Sequence, residues 1–172
     1  MKRHIVLIGL PGAGKTTAGG RAAATLKTAF VDLDEMIERE QGLSVREIFT
    51  QRGEPAFREL ERDAAHRVFG GEPTVVAPGG GWAAQPGAID GARARCFIVY
   101  LQVDPEEASR RVGSGRSRPL LGGADPEARM RELLVARERF YQQADATIPT
   151  GTRAVGEVAH EIVQLARSQA GW

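Results

Sequence analysis

The chain has 172 residues, enough for one domain with a sizeable core and too few for two comfortable ones. Its 23 basic and 22 acidic residues nearly cancel to a net charge of +1, which argues against a dedicated nucleic-acid or membrane surface. A single cysteine, Cys96, allows no disulfide within the chain, no apolar stretch reaches membrane-spanning length and no signal-peptide pattern opens the sequence, so a soluble protein of the reducing cytoplasm is expected.

The first element is His4-Ile5-Val6-Leu7-Ile8, an apolar run suited to a buried parallel strand over 4–9. It leads directly into Gly9-Leu10-Pro11-Gly12-Ala13-Gly14-Lys15-Thr16, the Gly-x-x-x-x-Gly-Lys-Thr spacing of a phosphate-binding loop. Each position has a physical task. Glycines let the backbone curl with N–H groups turned inward on phosphate oxygens, Lys15 places a point charge on the β/γ-phosphates, and the Thr16 hydroxyl can ligate Mg²⁺. A helix over 15–27 comes next, and its N-terminus favours an anion. A ligand-free glycine turn is the plain alternative, and the agreement of motif with context disfavours it.

Four more apolar runs, 29–32, 74–78, 96–101 and 145–149, read as strands separated by helical patterns. That alternation is the signature of an α/β sheet with helices on both faces. Cys96, inside the fourth run, reads as a buried inert thiol. Helix starts are marked by the capping box of Ser44 and Glu47, and by Asp104-Pro105 and Asp125-Pro126.

Several residues could carry chemistry. Asp32 and Asp34 end the second strand two positions apart, and strand period predicts both on one side at the carboxyl edge of the sheet. One carboxylate could serve Mg²⁺ and the other a substrate hydroxyl, although one of the two could simply cap the following helix. Arg58 and Glu61, three apart on the next helix, share a face beside Phe57 and Leu60. Arg58 could grip a carboxylate or belong to a solvated ladder. Gly79-Gly80-Gly81 comes after the third strand and permits close backbone approach to a ligand. Trp82 could line that pocket or pack the core. The segment Gly113 to Ala124, with two arginines between glycines, is compatible with a mobile flap or a surface loop. In the helix over 126–143, Arg137 and Tyr141 continue the apolar stripe of Met130, Leu133 and Leu134, so Arg137 either faces an anionic partner or snorkels. His4, His66 and His160 show neither metal spacing nor a nucleophile partner.

The ordered set of motifs resembles the shikimate kinase family over about residues 5 to 145. Its elements are the Gly9–Thr16 loop, the Asp32-Leu33-Asp34 pair, Phe57-Arg58 with Glu61, Gly79-Gly80-Gly81, Arg118-Pro119-Leu120-Leu121, and Arg137 with Tyr141. The resemblance implies a three-layer α/β/α P-loop kinase fold with a five-stranded parallel sheet, a single domain over 1–172. Within it, a substrate-binding helical segment would span about 33–62 and a flexible lid about 112–124. It implies ATP-dependent, Mg²⁺-dependent phosphorylation of the 3-hydroxyl of shikimate, within aromatic amino-acid biosynthesis, by a monomer. By the same resemblance Gly12, Ala13, Gly14, Lys15, Thr16 and Thr17 hold the nucleotide. Thr16 and Asp32 serve the metal, and Asp34 binds substrate hydroxyls and is the candidate base. Arg58 and Arg137 grip the carboxylate, with backbone N–H groups of Gly80 and Gly81 beside them. Arg118 in the lid stabilises the transferring phosphoryl group, and Arg111 stacks near adenine.

Three departures from the family pattern stand out: Trp82 after the glycines, Arg137-Glu138-Arg139-Phe140-Tyr141 as the motif on the late helix, and the missing proline in 150–156. A gluconate or nucleoside monophosphate kinase of the same fold is the nearest alternative. Gluconate kinases typically carry a histidine soon after the aspartate pair, and none lies between Asp34 and His66. A nucleotide-binding regulatory module without turnover is the alternative from another class.

Overall fold

Five β-branched and apolar runs form one parallel sheet: β1 (His4–Ile8), β2 (Phe30–Asp32), β3 (Val75–Ala77), β4 (Cys96–Gln102) and β5 (Ala146–Pro149). The computed structural model describes residues 1–113 and 125–172. Strand order is β2-β3-β1-β4-β5, with β1 pairing β3 through Ile5 and Val75 and pairing β4 in register from His4 and Cys96 to Ile8 and Tyr100. Every residue of β1 and β3 is buried, so helices must cover both faces of the sheet centre.

Among the described residues the helices are α1 (Lys15–Leu26), α2 (Leu33–Gln41), α3 (Val45–Arg52), α4 (Glu54–Gly70), α5 (Ala88–Ala92), α6 (Pro105–Val112), α7 (Pro126–Tyr141) and α8 (Val155–Gln169), with a 3₁₀ turn at Trp82–Ala84. The strand and helix boundaries fall within a residue or two of those expected from the runs. The capping box at Ser44 and Glu47 forms, and the Asp125 side chain accepts from the Ala128 N–H. Asp104 occupies the N-cap of α6 without a side-chain bond. Helix α1 packs along α8 and lies close on the sheet. A methyl group at Gly19 would stand 2.6 Å from the Phe30 ring and 2.8 Å from Leu7 Cδ1, so glycine there sets the helix-to-sheet distance.

Because β1 sits between β3 and β4, the chain leaves it outward in both directions, and the carboxyl ends of β1, β2 and β3 flank one crevice. The phosphate-loop motif comes directly after β1, Asp32 ends β2 and the glycine run comes after β3. Topology therefore collects at one edge what the sequence spreads over seventy residues. The expected lid lies largely in 114–124, outside the described residues, and Arg118 lies there with it.

Candidate active site

The loop Gly9–Gly14 wraps tightly at the end of β1. Gly9 has φ +147°, and a side chain there would meet the Leu101 carbonyl at 2.5 Å, so the motif's first glycine is required on both counts. Lys15 is buried, and its Nζ donates to the carbonyls of Gly9 at 2.8 Å and Leu10 at 2.9 Å. The ammonium is thus folded over the loop that would carry phosphate. Thr16, the next residue of α1, donates its hydroxyl to Asp32 Oδ2 at 2.9 Å.

The aspartate pair divides differently from the strand-period expectation. The strand stops at Asp32, because the Asp32 side chain accepts from the Glu35 N–H at 3.2 Å and starts α2 at Leu33. Asp34 is therefore in the first turn of a helix, and helical twist separates the two carboxylates. Asp32 faces Thr16. Asp34 faces the glycine run, where a methyl at Gly79 would lie 3.0 Å from Asp34 Oδ1.

Gly80 and Gly81 are the central residues of a turn closed by the Trp82 N–H on the Gly79 carbonyl at 3.0 Å. Two arginines from distant helices converge on it. A methyl at Gly81 would overlap Arg58 Nη2, with Arg58 Cζ at 2.9 Å and Arg137 Nη2 at 3.0 Å. A methyl at Gly80 would stand 3.0 Å from Arg137 Nη1, 3.2 Å from Pro11 Cδ and 3.3 Å from the Gly9 carbonyl oxygen, so Arg137 and the loop after β1 meet at this residue. The glycine ribbon is thus packed against both the phosphate-type loop and a pair of guanidinium groups.

Arg58 is held from behind by two carboxylates, and Arg137 by burial on α7. Arg58 reaches the site from α4, where its Nη1 donates to Glu61 Oε1 at 2.8 Å and its Nη2 meets Glu54 Oε1 at 3.3 Å. The Phe57 ring lies against the Phe49 ring, centroids 5.0 Å apart, and this contact joins α3 to the start of α4. Glu61 is fully buried, and among the described residues its Oε2 has no hydrogen-bond partner. Burial pushes its carboxyl up to about 7, against the pull of Arg58, and the nearby Asp34 charge pushes the same way. Arg137 is buried on the inward stripe of α7 with Met130, Leu133 and Tyr141, which resolves the choice between an inward and a snorkelling arginine. One α-turn on, the buried Tyr141 hydroxyl donates to the Gly80 carbonyl at 2.6 Å, and its ring stacks against Tyr100 at 5.0 Å. Burial raises the Tyr141 pKa, so the phenol stays a donor.

On the opposite side of the loop, Arg111 spans α6 to the segment after β5. It donates to the Gly12 carbonyl at 3.3 Å, to Thr150 Oγ1 at 3.4 Å and to the Gly151 carbonyl, while Glu107 Oε1 accepts from its Nε at 3.1 Å. Cys96 is buried and its thiol is pushed up to about 12, in keeping with an inert sulfur. His66 and His160 are exposed and His4 is buried, its Nδ1 accepting from the Thr74 N–H. Two contributors escaped a reading by residue type. Glu61 carried only an i, i+3 signal to Arg58, and Tyr141 looked like core until its hydroxyl partner was visible.

A family model described as shikimate kinase matches residues 11–167. The chain belongs to the shikimate kinase family. A shikimate kinase of Caldanaerobacter subterraneus subsp. tengcongensis is 41% identical over 162 residues, covering 94% of this chain and 95% of the relative. One from Moorella thermoacetica is also 41% identical, covering 98% and 96%. Among solved structures, a shikimate kinase from Acinetobacter baumannii in complex with shikimate superposes with a TM-score of 0.94 at 34% identity, over all of this chain and 97% of that one. A gluconokinase from Sinorhizobium meliloti, at 16% identity and a TM-score of 0.63, shares the fold alone. Family membership fits this arrangement, in which the loop after β1 and the paired arginines both pack against the glycine ribbon. No described helix is long and apolar enough to cross a membrane.

Proposed function

We infer that the chain transfers the γ-phosphoryl group of ATP to the 3-hydroxyl of shikimate, giving shikimate 3-phosphate and ADP. The observation that carries the acceptor side is the convergence of Arg58 and Arg137 on Gly81, one residue from the Gly80 contact with the phosphate-type loop. Two planar guanidinium groups fit one small carboxylate, since each can offer parallel N–H donors. In this reading they grip the shikimate carboxylate, with the Gly80 and Gly81 amides beside them. Asp34, at Gly79, accepts a hydrogen bond from the reacting hydroxyl and takes its proton as the phosphorus–oxygen bond forms. Glu61 and Tyr141 are positioning residues, one holding Arg58 and the other holding the Gly80 carbonyl.

On the donor side, backbone amides of Gly12, Ala13 and Gly14 with Thr17 cradle phosphate, and Lys15 moves from the Gly9 and Leu10 carbonyls onto the β/γ-phosphates. Thr16 Oγ1 and Asp32 Oδ2, hard oxygen donors 2.9 Å apart, fit Mg²⁺, a cation held through one or two protein oxygens plus phosphates. Bound there, Mg²⁺ supplies charge neutralisation on the phosphates. Arg111 borders the space where the adenine would lie, and Arg118 is proposed as the lid's cation on the transferring group. Phosphoryl transfer needs little covalent help from protein, so positioning and neutralisation suffice.

A coupled ADP-release assay with shikimate, quinate and gluconate tests this. Turnover should require shikimate. ADP release without any acceptor, or a preference for quinate or gluconate, refutes the acceptor assignment.

A further inference from the structure

Beyond Glu61, α4 carries a second inward face that phosphoryl transfer does not use. Between this face and α5 lies a cleft of about 300 Å³, within the range of small-molecule sites. None of the residues proposed to hold ATP, the metal or the reacting hydroxyl lines it. One wall is aromatic: Phe69 and Trp82 meet edge to face, with ring centroids 5.9 Å apart at 77°. The facing wall is built from Ala88, Gly91 and Ala92, which leaves room for a flat body against the rings. At the mouth stand two exposed side chains, Arg62 and His66, one helical turn apart on α4. The inner end is formed by Arg58 and Glu61, the ion pair that also backs the acceptor pocket. Gln85 closes that end, its amide donating to the Gly81 carbonyl at 3.0 Å.

An aromatic slot with Arg62 at its mouth and the Arg58–Glu61 pair at its inner end suits a ligand that is planar and apolar along its body and anionic at its edge. An aliphatic chain would find no use for the arginines, and a polyphosphate would waste the rings. Trp82 thus serves neither the acceptor pocket nor the core alone, since its buried ring forms the floor of this second space.

We propose that the cleft is a second ligand site, for a planar aromatic carboxylate, and that its occupation weakens acceptor binding by drawing on Arg58. The coupling is reciprocal: an acceptor that engages Arg58 weakens the second ligand by the same factor.

Calorimetric titration of the whole chain with 2-naphthoate tests the proposal without requiring turnover, so its failure is separable from failure of the kinase reading. The naphthoate should bind, its neutral amide should bind more weakly, and shikimate titrated into naphthoate-saturated protein should lose about fivefold or more in apparent affinity. Ala88→Phe fills the slot, and should abolish naphthoate binding while leaving shikimate binding intact. Arg62→Glu, on the exposed rim and harmless to folding, should weaken naphthoate and spare its amide. The proposal is overturned by the absence of naphthoate binding at millimolar concentration. It is equally overturned if binding survives both substitutions unchanged and is simply exclusive with shikimate, because the probe would then sit in the acceptor pocket.

Discussion

Gly81→Ala isolates the acceptor site from the rest of the molecule. Gly81 has φ −90° and ψ −5°, a conformation alanine adopts freely, so the backbone opposes nothing. Such a replacement even reduces the freedom of the unfolded chain, worth about 0.4–1 kcal/mol in favour of folding. The new methyl, however, would overlap Arg58 Nη2 and stand 2.9 Å from Arg58 Cζ and 3.0 Å from Arg137 Nη2. Ordinary contacts are about 3.5–4.0 Å, so the overlapping Arg58 head group must retreat by about 1 Å or more. A displacement of about 1 Å in a positioning group costs up to about a hundredfold, or roughly 2.7 kcal/mol. The expected outcome is a rise of about ten- to hundredfold in the KM for shikimate, an ATP KM within about twofold of the parent, and an unchanged melting temperature. Steady-state kinetics with each substrate varied in turn, alongside a thermal melt, supplies the three numbers. An unaltered shikimate KM would refute the packing of both arginines on Gly81. A parallel loss for ATP with a lowered melting temperature would mean the substitution damages the fold instead.

Arg58→Ala should cripple shikimate binding while ATP affinity stays nearly the same, as measured by separate titrations; equal loss of both would indicate misfolding. Glu61→Gln tests the buried carboxyl by pH. Its pKa is raised from 4.5 to about 7, so its contribution to stability is present below about 4.5 and lost as pH climbs through about 7. The parent should therefore lose up to about 3 kcal/mol relative to Glu61→Gln between pH 5 and pH 9 in urea melts, and a flat difference contradicts the buried environment. Burial lowers the His4 pKa from 6.5, so His4 acts in the opposite sense, destabilising as pH falls below about 6.5, and it cancels in that comparison. Tyr141→Phe leaves the Gly80 carbonyl without its donor and should cost about 1–3 kcal/mol in urea unfolding, with shikimate kcat/KM falling more than that for ATP.

The local signals in the chain were strong wherever chemistry constrains spacing. Gly9, Gly14, Lys15 and Thr16 stand at fixed intervals because a backbone must curl around phosphate oxygens, and the strand-then-helix context could be read from the apolar run at 4–8 and the helical pattern from Lys15 onward. The parallel sheet was legible for the same reason: buried strands are short continuous apolar runs, and helical patterns separate them. Arg58 with Glu61 was visible as a pair because helix geometry places residues three apart on one face.

What the sequence could not decide was every contact made across the fold. Strand period put Asp32 and Asp34 together, but the capping bond from the Glu35 N–H to Asp32 turned the chain into a helix and sent the two carboxylates to different neighbours, Thr16 and Gly79. Arg137 could have snorkelled; α7 packs that side of the helix against the core, so burial of its charge beside Glu61 became compulsory. Trp82 was undecided between core and pocket until the turn at Gly79 set its buried ring edge to face with Phe69. Spacing along one chain therefore determined the phosphate-binding loop and the sheet. Only tertiary packing, which joins residues 9, 58, 81 and 137 across the sheet edge, brought together the residues proposed as the acceptor site.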